Sequence, residues 1–252
     1  MIKVGRRVYG GTTMINFKCT GIGSAFNTSL GTNSAYFIVD KTLFLFDCGD
    51  STFGKLKESE VLQNIEKIII LITHCHPDHI SSTGSLVFYL HYINKMKTED
   101  IEIIVGNSDT AYKLSIILLY SGVPIDMYTM TVNNQIFPNM REGIEFTMLK
   151  TEHCEELDSF GIILSDLSDN DAIYYSGDSK EIKPDILNLV HKYYQDTSLA
   201  DYDGNVHLSL RRLCEEVKPE LRHKVWCMHI DNIELIKLAK VEGFNVVEIS
   251  QV

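Results

Sequence analysis

The sequence predicts an α/β sandwich formed as one domain over residues 1–252. Three observations lead there. Strand-like apolar runs alternate with amphipathic, helix-like stretches from end to end, the pattern of layered α/β folds. A chain of 252 residues with 44% hydrophobic and 10% aromatic content can bury a sizeable core, and no low-complexity linker or internal repeat marks a boundary. One apolar run, Ile68 to Leu71, leads into a loop crowded with histidines, the way a protein mounts ligands at the rim of a sheet.

From the N-terminus, Met14 to Cys19 alternates and reads as a strand entering Thr20-Gly21-Ile22-Gly23-Ser24-Ala25. Two close glycines alone are weak evidence for a nucleotide-binding turn, since no GxxG continuation or helix start follows them. The plain alternative is a tight turn that lets the loop approach a functional site closely. Ser34 to Val39 and Thr42 to Phe46 read as strands joined at Asp40-Lys41. Asp47-Cys48-Gly49-Asp50-Ser51-Thr52 follows, then an amphipathic helical stretch from Lys55 to Lys67. The next strand ends in Thr73-His74-Cys75-His76-Pro77-Asp78-His79, with three imidazoles and a carboxylate within six positions. His74 and His76 are two apart, so an extended backbone points both the same way and lets them grip one ion. Asp78 and His79, beyond the turn at Pro77, can face a second.

His74-x-His76-x-Asp78-His79 resembles the HxHxDH signature of the metallo-β-lactamase superfamily, and the likeness extends along nearly the whole chain. It implies the four-layer αββα sandwich of that family. Gly21-x-Gly23-Ser24-Ala25 is similar to the opening motif of the ribonuclease Z branch. The segment beginning at Asp47 resembles the family's DCGEGT, with Asp50 where glutamate is usual, and implies that Asp47 orients a ligand histidine.

Further along, Ile80 to Lys97 reads as a helix, Glu102 to Val105 as a strand, Ser108 to Tyr120 as a helix, and Met127 to Val132 and Ile144 to Leu149 as strands around a polar turn at Asn133-Asn134 and Pro138-Asn139. Thr151-Glu152-His153 lies where the family places its third metal histidine. Phe160 to Ser165 and Ala172 to Tyr175 are strands around a turn at Asp166 to Asp171, with Asp169 and Asp171 as turn residues. Ser176-Gly177-Asp178 resembles the family's bridging aspartate. Glu181 to Tyr194 reads as a helix with Pro184 in its first turn. Gln195-Asp196-Thr197-Ser198-Leu199 and His207-Leu208-Ser209 resemble ribonuclease Z segments, with Asp196 in place of glutamate, and His207 is expected to open a helix through Val217. Val225 to Met228 is the last apolar strand before His229, the fourth ligand histidine by resemblance. A helix from Asn232 to Glu242 and an edge strand from Phe244 to Ile249 close the chain. His91, His191 and His223 read as core or surface histidines.

Carried over residue by residue, the likeness implies that His74, His76 and His153 hold one ion, that Asp78, His79 and His229 hold another, and that Asp178 bridges them. Imidazole and carboxylate donors suit Zn²⁺, with Mn²⁺ possible. Two ions roughly 3.5–4 Å apart can activate one water and clamp both oxygens of an in-line displacement. Many β-lactam hydrolases have a cysteine at the second metal, whereas here no cysteine stands at a ligand position. Asp78, His207 and Asp196 are the candidate catalytic side chains. A histidine steadied by a carboxylate can protonate a departing sugar oxygen, a contribution of about 10²–10⁴-fold, which favours phosphodiester over lactam or thioester chemistry.

Composition narrows the substrate. The net charge of −11 disfavours a long nucleic acid. Only 25 positions separate His153 from Asp178, too few for the tRNA-binding arm that ribonuclease Z inserts there. The compact outline resembles the phage anti-Pycsar phosphodiesterases. That likeness implies hydrolysis of 3′,5′-cyclic mononucleotides (cyclic CMP and UMP, with cyclic AMP and GMP also plausible) to 5′-monophosphates, a homodimer, and action in a host cytoplasm. A ribonuclease Z-like RNA-processing endonuclease is the alternative. No apolar run reaches 18 residues, so no membrane span is expected, and Met1 to Gly11 does not read as a signal peptide. The six cysteines include no CxxC pair and read as reduced thiols, with Cys75 and Cys154 turned away from the ligand cluster.

Overall fold

A computed structural model describes residues 15–133, 139–166 and 172–250. Met14, Asn134, Pro138, Asp169 and Asp171, expected in a strand start and two turns, lie outside the described residues. One sheet has the order β1 (Lys18–Gly21), β2 (Ser34–Val39), β3 (Thr42–Phe46), β4 (Lys67–Ile72), β5 (Ile101–Val105) and β6 (Thr129–Val132). The other comprises β7 (Asn139–Arg141), β8 (Ile144–Thr151), β9 (Ser159–Asp166), β10 (Ala172–Tyr175), β11 (Lys192–Asp196), β12 (Val225–Met228) and β13 (Asn245–Val246), neighbours again following chain order. Each sheet begins with antiparallel hairpins and continues with parallel strands, from β3 in the first and from β10 in the second.

Alternation along single strands explains the layering. In β3 and β4, Phe44, Phe46, Ile69 and Leu71 join Phe146, Met148, Phe160, Ile162 and Tyr175 in one buried cluster between the sheets. Their neighbours Leu43, Leu45, Ile68, Ile70 and Ile72 face α1 (Thr52–Glu58), α3 (Thr83–Tyr92) and α4 (Ser108–Tyr120) through Leu56, Leu86, Leu90 and Leu114. Strands covered on both faces carry continuous apolar runs, which is why Ile68 to Ile72 lacks a polar alternate. Each such side chain contributes roughly 1.5–3 kcal/mol by burial. α5 (Pro184–Leu189), α6 (Leu210–Glu216) and α7 (Glu234–Val241) cover the second sheet through Leu187, Leu213 and Leu235. The order helices, sheet, sheet, helices is the expected four-layer sandwich.

Several expected elements differ. The stretch Lys55 to Lys67 is not one helix: α1 stops at Glu58 and Glu60 turns left-handed at φ 58°, before a 3-10 turn at Val61–Gln63. The helix expected from Ile80 to Lys97 ends at Tyr92, and Lys95 has φ 58°. Glu181 to Tyr194 is the largest departure. Only Pro184–Leu189 is helical, and Lys192–Asp196 is β11, inserted parallel between β10 and β12. Tyr193, Tyr194 and Asp196 are all buried there; aromatic residues covered on two faces favour a strand over a helix. His207 does not open α6, whose N-cap is Ser209, its Oγ accepting from the Arg212 amide. The closing strand shrinks to Asn245–Val246, with Ile249 forming an isolated bridge to Cys19.

Candidate metal centre

The C-terminal ends of the parallel strands meet at one rim. β3 delivers Asp47, β4 delivers Thr73 and His74, β10 leads to Asp178, β11 ends at Asp196, and β12 leads to His229. Loops beyond the carboxyl ends of parallel strands are where open α/β sheets build sites. Asp47 and His229 are left-handed, at φ 59° and 57°, and so is Gly177 at 59°. For the two residues with a Cβ this costs of order 1–2 kcal/mol, strain of the kind found at functional sites. At Gly177 a Cβ would also lie 2.8 Å from the Phe160 carbonyl oxygen.

All seven expected ligand side chains come together here, in two groups. His74, His76, His153 and Asp178 form one; Asp78, His79, His229 and Asp178 form the other. In each, the donor atoms lie within 4.8 Å of one another. Asp178 faces both with different oxygens. Its Oδ2 is 3.8 Å from His74 Nε2 and 3.7 Å from His153 Nε2. Its Oδ1 is 3.1 Å from His79 Nε2 and 3.4 Å from His229 Nε2. His76 turns Nδ1 inward, 2.9 Å from His74 Nε2 and 3.2 Å from His153 Nε2. Asp78 Oδ2 is 3.1 Å from His229 Nε2. Except for the half-buried His76, these residues are buried.

The surroundings fix which ring nitrogens face inward. The Thr73 hydroxyl donates to Asp47, so its oxygen can accept from His74 Nδ1–H at 3.1 Å. His79 Nδ1–H donates to Asp47 Oδ2 at 2.8 Å. His153 Nδ1–H donates to the Val206 carbonyl at 2.9 Å. His229 turns Nδ1 toward Asp196 Oδ1, 3.3 Å away. Each of these four rings thereby turns its Nε2 toward the centre, an arrangement that metal-ligating histidines adopt, whereas His76 offers Nδ1. His79 Nε2 and Asp178 Oδ1 are buried and approach each other at 3.1 Å without hydrogen-bond geometry, as expected of atoms arranged to share a cation. The residues present therefore fit divalent ions.

The charge balance agrees. Burial opposes ionisation of Asp178, yet His229 and His79 outweigh it and hold the carboxyl well below the usual carboxylate range. Burial likewise opposes a charged His229, and Asp178 and Asp196 overcome this, lifting it to about 10. Burial, then His79, pushes His74 well below the ordinary histidine value. A site that stabilises protons on some ligands will exchange them for metal cations on loading.

Beside the two groups stand His207 and Asp196. His207 Nδ1 is 2.6 Å from Asp196 Oδ2 and 3.9 Å from Asp178 Oδ2. The Ser179 amide also donates to Asp196 Oδ2, at 2.9 Å. Burial works against a charged His207, and Asp196 prevails, raising its pKa above the ordinary histidine value. The His207 side chain keeps 25% of its surface exposed, whereas Asp196 is fully enclosed. All six cysteines are free. Cys75 faces the Thr110 carbonyl, away from the centre. Cys154 Sγ lies 3.9 Å from His76 Nε2, the ring nitrogen opposite the inward Nδ1, and Cys154 joins neither donor group. Sequence reasoning missed Thr73 and the Val206 carbonyl. A hydroxyl following an apolar strand was a usable signal for the first; a backbone carbonyl leaves none.

Residues 15–250 match the family model described as Anti-Pycsar protein Apyc1. An Anti-Pycsar protein Apyc1 of Bacillus phage BSP38 is 26% identical over 245 residues, covering 88% of this chain and 91% of that protein. Among solved structures, the metallo-β-lactamase fold protein YhfI from Bacillus subtilis aligns with TM-score 0.72 at 16% identity, covering 93% of this chain and 97% of the other. The short form of human tRNase Z aligns with TM-score 0.67 at 17% identity, covering 92% and 96%. These likenesses give the chain the metallo-β-lactamase fold. The family match takes in every residue that contributes to the rim, from the glycine turn after β1 to His229 after β12, and the chain belongs to the Anti-Pycsar protein Apyc1 family.

Proposed function

We propose that this protein is a metal-dependent phosphodiesterase that opens 3′,5′-cyclic mononucleotides to 5′-monophosphates, cyclic CMP and cyclic UMP foremost, and thereby removes a host immune signal. The observation that carries this reading is the His207–Asp196 pair standing beside two donor groups that share Asp178. Two Zn²⁺ ions per subunit, or Mn²⁺ in their place, would supply Lewis acidity toward the phosphodiester and acidify water. His74, His76 and His153 would hold one and Asp78, His79 and His229 the other, with Asp178 on both. Asp196 occupies His207 Nδ1, which leaves Nε2 as the proton donor to the departing 3′ oxygen. Asp196 raises the His207 pKa above the ordinary histidine value, which favours the protonated ring a general acid needs.

The sequence from His153 to Asp178 carries β9 and β10, and five positions between them lie outside the described residues, too few for a tRNA-binding arm. With the net charge of −11, this supports a small substrate over a long nucleic acid. No helix among the described residues is long and apolar enough to cross a membrane. The homodimer that the family likeness implies belongs to the same reading. A host cytoplasm, where cyclic nucleotides circulate, fits the substrate.

The test is a hydrolysis panel with Zn²⁺- and Mn²⁺-loaded protein: cyclic mononucleotides, cyclic dinucleotides and a precursor tRNA. Conversion of cyclic CMP to 5′-CMP, abolished by His74→Ala with His76→Ala, is the expected result. Faster cleavage of the tRNA would replace this reading with an RNA-processing one.

A further inference from the structure

We infer that Asp231 is a positioning residue for His207; the inference rests on the phosphodiesterase reading and deepens it. The segment from Leu199 to His207 is a closed excursion. Before it, Ser198 pairs with the chain that returns after it: the Ser198 amide donates to Leu208 O at 2.9 Å and the Leu210 amide to Ser198 O at 2.9 Å. Two groups on the excursion face the metal centre, namely the Val206 carbonyl, which accepts from His153 Nδ1, and the His207 imidazole.

One carboxylate holds the outgoing end. Asp231 Oδ2 accepts from the Ser198 hydroxyl at 2.7 Å and from the Ala200 amide at 3.1 Å, and its Oδ1 accepts from the Leu199 amide at 2.8 Å. The clasp continues inward through the excursion. Asn205 Nδ2 donates to the Ala200 carbonyl at 2.8 Å, and the His207 amide donates to Asn205 Oδ1 at 3.1 Å. Asp231 is itself fixed from the other side. It follows His229 and Ile230, and the Ile230 carbonyl accepts from the Ser24 amide and Asn27 Nδ2 while the Ile230 amide donates to Ile22 O. Asp231 thus ties the turn that carries one ligand histidine to the loop that carries the acid. Three hydrogen bonds to one charged acceptor, stronger than bonds between neutral groups, favour one conformer of the nine-residue excursion. Small errors in placement cost a reacting group far more in rate than in stability.

The experiment compares two substrates with Asp231→Ala, His207→Ala and the double variant. A cyclic mononucleotide expels an alkoxide that needs a proton; an aryl phosphodiester with a p-nitrophenolate leaving group needs much less help. Asp231→Ala is expected to slow the cyclic nucleotide at least about tenfold more than the aryl ester, through kcat with little change in KM, and with bound metal unchanged. The double variant is expected to be no slower than His207→Ala alone, because residues acting through one another are not additive. In proton NMR of the zinc-loaded protein, the Nδ1–H signal of His207 is expected to exchange faster in Asp231→Ala. Equal slowing of both substrates, or additive losses in the double variant, overturns the inference and leaves His207 standing. A His207→Ala protein that shows no leaving-group selectivity overturns the acid role and the inference with it.

Discussion

The Asp47 carboxylate meets the His79 imidazole at 2.8 Å with both side chains fully enclosed. The same carboxylate accepts from the Thr73 amide at 2.8 Å and from the Thr73 hydroxyl, whose oxygen stands beside His74. One acid at the end of β3 therefore steadies a histidine from each donor group. Asp47→Ala is expected to weaken metal binding by about 10–100-fold, the usual effect of removing a partner behind a ligand. It should also lower stability by about 1–3 kcal/mol, because the buried Thr73 amide loses its acceptor. Metal content after dialysis and a denaturant melt measure the two effects separately.

Asp178 presents Oδ1 to one group and Oδ2 to the other. Asp178→Asn keeps size and one oxygen but replaces the second with an NH₂ that repels a cation. The expected outcome is loss of at least one bound ion per chain and a fall in activity of at least about 100-fold. Metal stoichiometry by elemental analysis checks it without reference to any substrate.

His207 and Asp196 should part ways on mutation. His207→Ala removes the proposed proton donor and is expected to lower kcat on a cyclic nucleotide by about 10²–10⁴-fold with metal content unchanged. Asp196→Asn keeps the ring but weakens its orientation and lowers its pKa, so a smaller loss is expected, with the alkaline limb of the kcat profile moved to lower pH. An unchanged rate for His207→Ala at saturating substrate would remove it from the mechanism.

How much of this was legible beforehand follows from the range of the interactions involved. The loop from His74 to His79 is local: strand parity and the turn at Pro77 set its directions, so the sequence alone pairs His74 with His76 and separates Asp78 with His79. His153, Asp178 and His229 are each one residue on a separate strand end, and only family resemblance singled them out. The segment from Glu181 to Tyr194 misled because Pro184 does start a helix, while the burial that turns Lys192–Asp196 into a strand comes from β10 and β12, distant in sequence. Asp231 carried no signal, since its partners at Ser198 to Ala200 become neighbours only when β11 and β12 pair.

A last prediction lies away from the metal centre. Glu102 on β5 receives Arg141 from the edge of the second sheet through two hydrogen bonds, Nε to Oε2 at 3.0 Å and Nη2 to Oε1 at 2.8 Å, and the Thr131 hydroxyl donates to Oε1. Burial by itself would raise the Glu102 pKa, but Arg141 and Thr131 outweigh it and the pKa is lowered. A lowered carboxyl stabilises the fold above its unfolded pKa of about 4.3, and that contribution fades as pH falls through the folded value. Arg141→Met should cost about 2 kcal/mol at pH 7, less than the 3–5 kcal/mol of a fully buried pair because the Arg141 side chain is 29% exposed. The deficit should shrink once pH drops below the folded pKa, where Glu102 is neutral in both proteins. Urea unfolding of the two proteins at pH 7 and at acid pH measures it, and a gap of the same size at both would show that the pair is not what joins the sheets there.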